Sequence, residues 1–198
     1  MPAPSIKSRP VYGTLVPRPG QLHLLVADAE GAEAILDLAT GAPAGFFDKA
    51  HIIYVPGHYA GATARLAALK PAALHEGPTI AAILPKLTQY LVTARMGTQL
   101  YLAGTEGMIG QAMKLATDHG IPHGAILTEH RGSRARRVQC VHCKGITENV
   151  TTQPVRCAHC GLMLLVRDHY SRRLAAFQGV CIEAEEPGSA PPMEEVFP

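Results

Sequence analysis

The 198-residue sequence has no tryptophan, and aromatic residues make up only 5% of it. Proteins that bind single-stranded nucleic acid stack bases on aromatic side chains, so few residues here could serve that kind of recognition. Long apolar runs are also missing. The longest one near the end of the chain covers 162–166, whereas a membrane-spanning helix needs about 20 apolar residues. The opening Met-Pro-Ala-Pro-Ser lacks the basic and then apolar pattern of a secretory signal. We therefore expect a soluble, cytoplasmic protein with no membrane partner.

The formal net charge is only +2, but the charges are unevenly distributed along the chain. Residues 1–130 carry nine basic and nine acidic side chains, whereas 131–173 carry nine basic and two acidic ones, a net charge of +7. Residues 174–198 carry five glutamates and no basic residue. This asymmetry predicts a globular body, a basic module and an acidic, proline-rich, flexible tail. The predicted division is an N-terminal arm over 1–19, the body over 20–130, the zinc-ribbon module over 131–181 and the tail over 182–198.

Strand-like and helix-like stretches alternate along the body. Apolar runs of strand length occur at 22–26, 51–55, 72–75, 99–103 and 124–127, and helix-forming stretches cover 29–39, 60–69, 80–95 and 106–119. Asp28 stands where it could cap the first helix. Strands that alternate with helices at this spacing form a mostly parallel sheet between two helical layers. The body is therefore predicted to be an α/β domain with a three-layer, Rossmann-like sheet.

Two stretches of the body resemble the nicotinamide-binding domain of ferredoxin–NADP reductase relatives. Tyr-Leu-Ala-Gly-Thr-Glu-Gly-Met at 101–108 is similar to that family's Tyr-x-Cys-Gly-Pro-x-x-Met signature, and Gly-Ile-Pro at 120–122 is similar to the turn that follows it. The stretch over 24–36 resembles the family's first strand, glycine-rich turn and helix. The resemblance implies a dinucleotide-binding fold.

The positions that would hold the dinucleotide differ from the family pattern. A pyrophosphate approaches bare backbone N–H groups at a helix N-terminus, which favours glycine there. In this chain three carboxylates and a single glycine occupy the first turn, and carboxylates would repel phosphate. The signature's cysteine and proline are replaced by alanine and threonine. We therefore predict a retained fold without a cofactor site, the altered region being Asp28, Glu30, Gly31, Glu33, Ala103, Gly104 and Thr105.

Cysteine is scarce, but four of the five cysteines form two Cys-x-x-Cys pairs. Cys140 and Cys143 form the first pair, and Cys157 and Cys160 form the second. Two such knuckles on neighbouring hairpins bring four thiolates into a tetrahedron that suits Zn²⁺. The spacing predicts a small zinc ribbon whose structural metal supplies on the order of 10 kcal/mol of folding free energy. A rubredoxin-like iron site, two disulfides and redox dithiols are the alternatives, and the cytoplasm disfavours disulfides.

Basic side chains flank the two knuckles. Guanidinium groups recognise carboxylates and phosphates, so this cluster could dock a partner. The alternative is a local Arg167–Asp168 pair with the other side chains solvated. Zinc ribbons with basic flanks also bind nucleic acid, but the acidic tail, the neutral body and the few aromatic residues argue against it. The predicted docking residues are Arg134, Arg136, Arg137, Arg167, His169, Tyr170, Arg172 and Arg173.

From residue 130 through both knuckles to residue 180, the sequence closely resembles the C-terminal module of the small A-type (DmmA-like) subunit of bacterial dimethylamine monooxygenase. The similarity extends over nearly the whole chain. This resemblance implies a multicomponent cytoplasmic enzyme that oxidises dimethylamine with O₂ and NADPH to methylamine and formaldehyde. It also implies two partners, a haem-containing oxygenase subunit and a reductase subunit that carries flavin and an iron–sulfur cluster.

The residues of this chain fit a subunit that is not itself catalytic. The sequence has no glycine-rich nucleotide cradle, no further cysteine set for a cluster and no second Cys/His group for haem. We therefore expect a structural docking subunit that bridges reductase and oxygenase and carries only structural Zn²⁺. Two alternatives stay open. The body could bind NADPH and deliver hydride to a partner's flavin, or the chain could be a zinc-ribbon nucleic-acid-binding protein.

Overall fold

The computed structural model describes residues 8–198, which form two compact units. The first unit comprises residues 12–132, and the second comprises residues 133–198 together with 8–11. Within the described part of the chain, no helix combines the length and the apolar character needed to cross a bilayer.

The first unit is built around one parallel sheet. Its five strands lie in the order β3-β2-β1-β4-β5, and every neighbouring pair is parallel. The prediction of an α/β fold with a parallel sheet is therefore confirmed, although most elements begin or end up to a few residues from the predicted positions. In chain order the elements are β1 (Leu22–Asp28), α1 (Gly31–Thr40), β2 (Ala50–Val55), α2 (Ala62–Ala68), β3 (Ala73–Glu76), α3 (Ile80–Val92), β4 (Thr98–Gly104), α4 (Glu106–Asp118) and β5 (Ile126–His130).

The central strand β1 contributes to two apolar cores, one on each face of the sheet. Leu24 and Val26 pack with residues of α3 and α4, whereas Leu25 and Ala27 pack with residues of α1 and α2. Successive side chains of a strand point to opposite faces, so an unbroken apolar strand indicates that both faces are covered. This is why the body's apolar runs, which lack polar alternation, form the middle layer.

The strand order reverses next to β1. β2 and β3 lie on one side of it, and β4 and β5 lie on the other. Open α/β sheets bind their ligands at the carboxyl ends of the strands where the order reverses. In this unit that place lies between Asp28, the last residue of β1, and Gly104, the last residue of β4. It is the crevice in which a dinucleotide would be expected.

Residues 12–19 of the predicted N-terminal arm belong to the first unit, and residues 1–7 of that arm lie outside the described residues. The carboxylate of the buried Glu129 accepts a hydrogen bond from the Leu15 N–H at 2.7 Å. The hydroxyl of the buried Tyr101 accepts one from the Arg18 N–H at 3.1 Å. These polar groups of the sheet fix the arm, and a count of charges along the chain does not detect them.

The second unit contains a five-stranded sheet in the order β7-β6-β11-β10-β9, which is larger than a bare ribbon. The β6–β11 pair is parallel, and the other neighbours are antiparallel. A separate two-stranded sheet joins β12 to β8. The strands are β6 (Arg136–Cys140), β7 (Ile146–Val150), β8 (Thr152–Gln153), β9 (Val155–Arg156), β10 (Met163–Ser171), β11 (Ala176–Cys181) and β12 (Glu194–Glu195).

The end of the predicted flexible tail is part of this second unit. The N–H groups of Val196 and Phe197 donate to the carbonyl oxygen of Thr151 at 2.9 and 2.8 Å. The side chain of Phe197 is buried in the same apolar cluster as Phe177. Residues 194–198 are therefore packed against the second unit, whereas the flexibility of the tail stays a prediction.

Candidate metal centre and dinucleotide crevice

The four paired cysteines converge on one point. Cys140 ends β6 and Cys143 lies in the turn that leads to β7, whereas the second pair lies between β9 and β10. All four sulfur atoms lie within 4.8 Å of one another. The Cys140 and Cys160 sulfurs are 3.8 Å apart, and those of Cys143 and Cys157 are 3.7 Å apart. A tetrahedral centre with metal–sulfur bonds of about 2.3 Å has edges of roughly 3.8 Å. The sulfurs therefore have the spacing that a tetrahedral metal ion requires.

The same backbone turn builds both knuckles. Lys144 follows the first pair and Gly161 follows the second, and both have left-handed backbone, with φ of 64° and 77°. The N–H of Lys144 donates to the carbonyl of Cys140 at 2.9 Å, and the N–H of Gly161 donates to that of Cys157 at 3.1 Å. The left-handed position is therefore occupied by a lysine after the first pair and by a glycine after the second.

The close packing of the four thiols shifts the pKa values of two of them in opposite directions. Burial acts to raise the pKa of Cys157, but hydrogen bonds from the backbone of Cys160 and His159 outweigh it and lower that pKa to about 6. At Cys160, a backbone hydrogen bond from Leu162 acts to lower the pKa, but desolvation and the neighbouring thiols outweigh it and raise the pKa to about 12. Four thiolates at this spacing repel one another unless a metal ion neutralises them.

The spacing of the sulfurs also bears on the alternatives to a metal. A disulfide requires sulfurs about 2.05 Å apart, and all five cysteines are free. The fifth, Cys181, lies on β11 opposite Leu164 of β10 and is not among the four clustered residues. The donor set of four cysteines fits Zn²⁺, and it also fits iron in a rubredoxin-like site.

The two strand ends that border the dinucleotide crevice are joined by a side chain. Asp28 is 6% exposed, and its carboxylate accepts hydrogen bonds from the Thr105 N–H at 2.7 Å and from the Thr105 hydroxyl at 2.5 Å. The same hydroxyl caps α4 by accepting from the Met108 N–H at 3.4 Å. The sequence suggested Asp28 as a cap of α1, but Glu30 occupies the N-cap position of that helix. The Asp28 carboxylate therefore occupies the N-terminus of α4, where a bound phosphate would need free backbone N–H groups.

Both glycines of the altered region are required by packing. A Cβ atom on Gly31 would lie 2.1 Å from the carbonyl oxygen of Ala103, so α1 approaches β4 at a distance that only glycine permits. Gly104 has φ of +129°, and a Cβ atom there would lie 1.8 Å from an Asp28 carboxylate oxygen. The close approach of backbone to backbone explains both glycines without a ligand.

The other two carboxylates of the first turn face the same edge of the sheet. Glu33 binds the guanidinium of Arg65 at 2.9 Å and the hydroxyl of Tyr59 at 2.8 Å, and these bonds lower its pKa. Glu30 lies 3.4 Å from the imidazole of His58. This edge thus carries two carboxylates, each beside a basic side chain, where a phosphate-binding fold carries bare N–H groups.

The predicted docking residues fall into two groups. Three of them make contacts within the second unit. Arg137 binds the Glu148 carboxylate at 2.9 Å, and the ring of Tyr170 packs edge-on against Phe177. The guanidinium of Arg136 lies over the ring of Phe177. The other five are exposed to solvent, on β10, on the turn that leads from it to β11, and before β6, and they are Arg134, Arg167, His169, Arg172 and Arg173.

Arg136 is a buried structural residue, which corrects its assignment to the docking set. It is 5% exposed, and its guanidinium carbon lies 4.1 Å from the ring centre of Phe177 and 4.0 Å from that of Phe197. Its Nη2 donates to the Asp168 carboxylate at 3.0 Å, so Asp168 pairs with Arg136 and not with Arg167. The sequence offers no local sign of this arrangement, because the four side chains come from distant parts of the chain.

Comparison with known proteins places the chain in a family. The model for the N-terminal domain of the dimethylamine monooxygenase subunit DmmA-like family matches residues 4–126, and the model for its C-terminal domain matches residues 137–180. The heme-dependent oxidative N-demethylase delta subunit of Ectopseudomonas mendocina (strain ymp) is 35% identical over 115 residues. That match covers 58% of this chain and 66% of the relative, just under two thirds of its length.

A solved structure is similar at a lower level. An intact type IV self-sufficient cytochrome P450 monooxygenase aligns with 79% of this chain and 20% of its own, at 19% identity and a TM-score of 0.41, which is too low to support any argument. The two family matches cover strands β1–β4 of the parallel sheet and the four cysteines, and the resemblance to the DmmA-like subunit is confirmed. The chain belongs to the DmmA-like family of dimethylamine monooxygenase subunits.

Proposed function

We propose that this chain is a non-catalytic structural and docking subunit of a multicomponent oxidative N-demethylase. The complex would use NADPH and O₂ to convert dimethylamine to methylamine and formaldehyde. The relative from Ectopseudomonas mendocina is named as one subunit of a heme-dependent oxidative N-demethylase, which supports a complex of this kind. The observation that carries the non-catalytic role is the Asp28–Thr105 contact across the dinucleotide crevice.

The four-cysteine centre would hold Zn²⁺ in a structural role. Four sulfur ligands complete a tetrahedral zinc site, so the ion would have no open position for a substrate and would stabilise the fold of the second unit. Cys140 and Cys157 are buried and lie in the apolar cluster of that unit. The metal would therefore fix the sheet that displays the exposed basic residues.

The exposed basic residues would bind carboxylates of the partners. Arg172 and Arg173 lie in the turn between β10 and β11, and Arg167 and His169 lie on β10. None of these four side chains makes an ion pair with another residue of the described range 8–198. Guanidinium groups that face solvent without an internal partner can form charge-assisted hydrogen bonds across an interface. The partners would be the haem-containing oxygenase subunit and the flavin and iron–sulfur reductase subunit.

Reconstitution of the complex tests this role. Turnover of dimethylamine should require this chain together with its two partners, and full turnover in its absence would refute the proposal. The double variant Arg172→Ala with Arg173→Ala should keep its metal and bind the partners at least about tenfold more weakly. Lys70→Ala with Arg95→Ala is a matched control, since both residues are exposed and basic but lie in the first unit.

Titration of the isolated chain tests the two alternatives. NADPH should give no saturable calorimetric signal at sub-millimolar concentration, and tight binding would favour the hydride-delivering subunit instead. A zinc-ribbon protein that binds nucleic acid would show affinity that falls steeply with salt concentration. We expect no such dependence with DNA or RNA.

A further inference from the structure

Residues 194–198 lie in a groove of the second unit that we name the Arg136 groove. Its floor is the guanidinium of Arg136, which is backed by the ring of Phe177 and held by Asp168. Its wall is the backbone of residues 151–153. The ring of Phe197 covers the open face of the guanidinium at 4.0 Å and is 8% exposed.

The segment binds this groove as an added strand. Glu194 and Glu195 pair in antiparallel fashion with Gln153 and Thr152, and the N–H groups of the next two residues donate to the Thr151 carbonyl. The N–H of Arg134 donates to the carbonyl oxygen of Pro198 at 2.6 Å. Peptides recognised by strand addition are held in the same way, by backbone hydrogen bonds and by one or two side chains in pockets. Here the pocket residue is Phe197.

The connection between the groove and the sheet is long and exposed. Residues 182–193 link β11 to β12, and most of them are exposed to solvent. Several of their hydrogen bonds are local, such as the one from the Gly188 N–H to the Glu183 carboxylate at 2.9 Å. The segment is therefore held mainly by its contacts in the groove. A segment on such a tether behaves as an intramolecular ligand.

The charges favour an acidic peptide. The side chains of Glu194 and Glu195 are exposed and make no ion pair within the described range 8–198. The rest of the second unit over 133–193 has eight basic side chains against five acidic ones. Attraction between this part of the unit and an acidic peptide is therefore available to any segment of this character, whichever chain supplies it.

We propose that the Arg136 groove is an exchangeable peptide-binding site. Residues 194–198 fill it in the isolated chain, and an extended acidic segment with one aromatic residue, supplied by a partner protein, replaces them on assembly. The site goes beyond the docking role of the exposed arginines and does not depend on it, because its test needs no other subunit.

Cleavage of the connector after folding tests the exchange. A protease recognition sequence is inserted between Gly188 and Ser189 of the full chain, and the folded, metal-loaded protein is cut there. Binding of a fluorescent peptide with the sequence of residues 191–198 is then compared in cut and uncut protein. The tether gives the native segment an effective concentration of about 1 mM, so the cut protein should bind the peptide at least about tenfold more tightly.

Two peptide variants locate the binding. A Phe197→Ala peptide should lose the affinity, whereas a Val196→Ala peptide should keep it, because Val196 is 49% exposed and Phe197 fills the pocket. Equal binding to cut and uncut protein would show that the peptide binds elsewhere and would overturn the proposal. So would a cut protein that keeps its fold and metal but takes up no peptide.

Hydrogen exchange on the uncut chain gives a second test if cutting unfolds the protein. An exchangeable segment must open without unfolding of the sheet, so the amides of Val196 and Phe197 should exchange at least about tenfold faster than the paired amides of β11. Equal protection of the two would mean that the segment is a permanent strand of the unit, and the proposal would be wrong.

Discussion

Gly31→Ala separates a glycine retained for packing from a glycine retained for a ligand. A Cβ atom at this position would lie 2.1 Å from the Ala103 carbonyl oxygen, 2.5 Å from the Ala103 carbonyl carbon and 2.8 Å from the Gly104 Cα atom. All three atoms belong to the backbone of β4, which cannot turn aside as a side chain can. Ordinary contact begins at about 3.4 Å, so α1 must move away from the sheet by roughly 1 Å.

The cost of this movement follows from the packing around α1. Ala32, Ile35 and Leu38 of the helix are buried in the core on that face of the sheet. Overpacking a core typically costs about 1–3 kcal/mol, and this clash involves backbone atoms, so we expect a loss of at least about 2 kcal/mol. For a unit of this size, that loss lowers the melting temperature by roughly 6–12 °C.

Thermal unfolding followed by circular dichroism measures the effect, with Gly41→Ala as the matched control. Gly41 ends the same helix with φ of −106°, and a Cβ atom there would have no neighbour within 4 Å. The control should therefore leave the melting temperature unchanged or raise it slightly. If Gly31→Ala unfolded at the wild-type temperature, the packing explanation would be wrong, and a ligand at this turn would have to be considered again.

Two further predictions concern the metal centre and the crevice. Cys157→Ser should release the metal and unfold the second unit while the first unit stays folded, whereas the control Cys181→Ser should retain the metal. Elemental analysis measures the metal and backbone NMR measures the fold of each unit. Metal retained by Cys157→Ser would contradict the four-sulfur site. Burial raises the pKa of Asp28 above its ordinary value of 3.8, and hydrogen bonds from Thr105 offset part of this rise. The folded state thus holds the proton more tightly, so this group's contribution to stability is lost as the pH rises from 3.8 through the raised pKa. Asp28→Asn should remove that loss. If the free energy of unfolding in urea had the same slope against pH in this variant as in the wild type, the interpretation would be wrong.

The architecture of the first unit follows from its sequence because burial on both faces has a clear signature. Continuous apolar runs such as that of β1 are excluded from solvent on each side, and the helices between them provide the cover. The cluster of four cysteines was equally predictable, since the spacing of the two ligands in a knuckle is set within four residues. In both cases the information is local or periodic, which is what a single sequence can show.

The side chains that hold distant segments together were not predictable in this way. Arg136 stands in a run of basic residues that looks like a solvated face, yet it is buried between two phenylalanines. Glu129 lies in the polar end of β5, yet its carboxylate accepts a hydrogen bond from the backbone of Leu15, 114 residues earlier. Composition cannot tell a buried, paired charge from an exposed one, because the partners that neutralise it lie elsewhere in the chain.

The glycines of the crevice show that part of a dinucleotide-binding sequence pattern can be explained by packing alone. In a dinucleotide-binding fold, one glycine lets the backbone approach the pyrophosphate and another lets the helix approach the sheet. Gly31 in this chain meets the second requirement, because a Cβ atom there would collide with β4, and a Cβ atom on Gly104 would collide with Asp28. A glycine needed for packing persists as long as the fold does. Asp28 bears on a ligand more directly than either glycine, because its carboxylate occupies the backbone N–H of Thr105 at the N-terminus of α4.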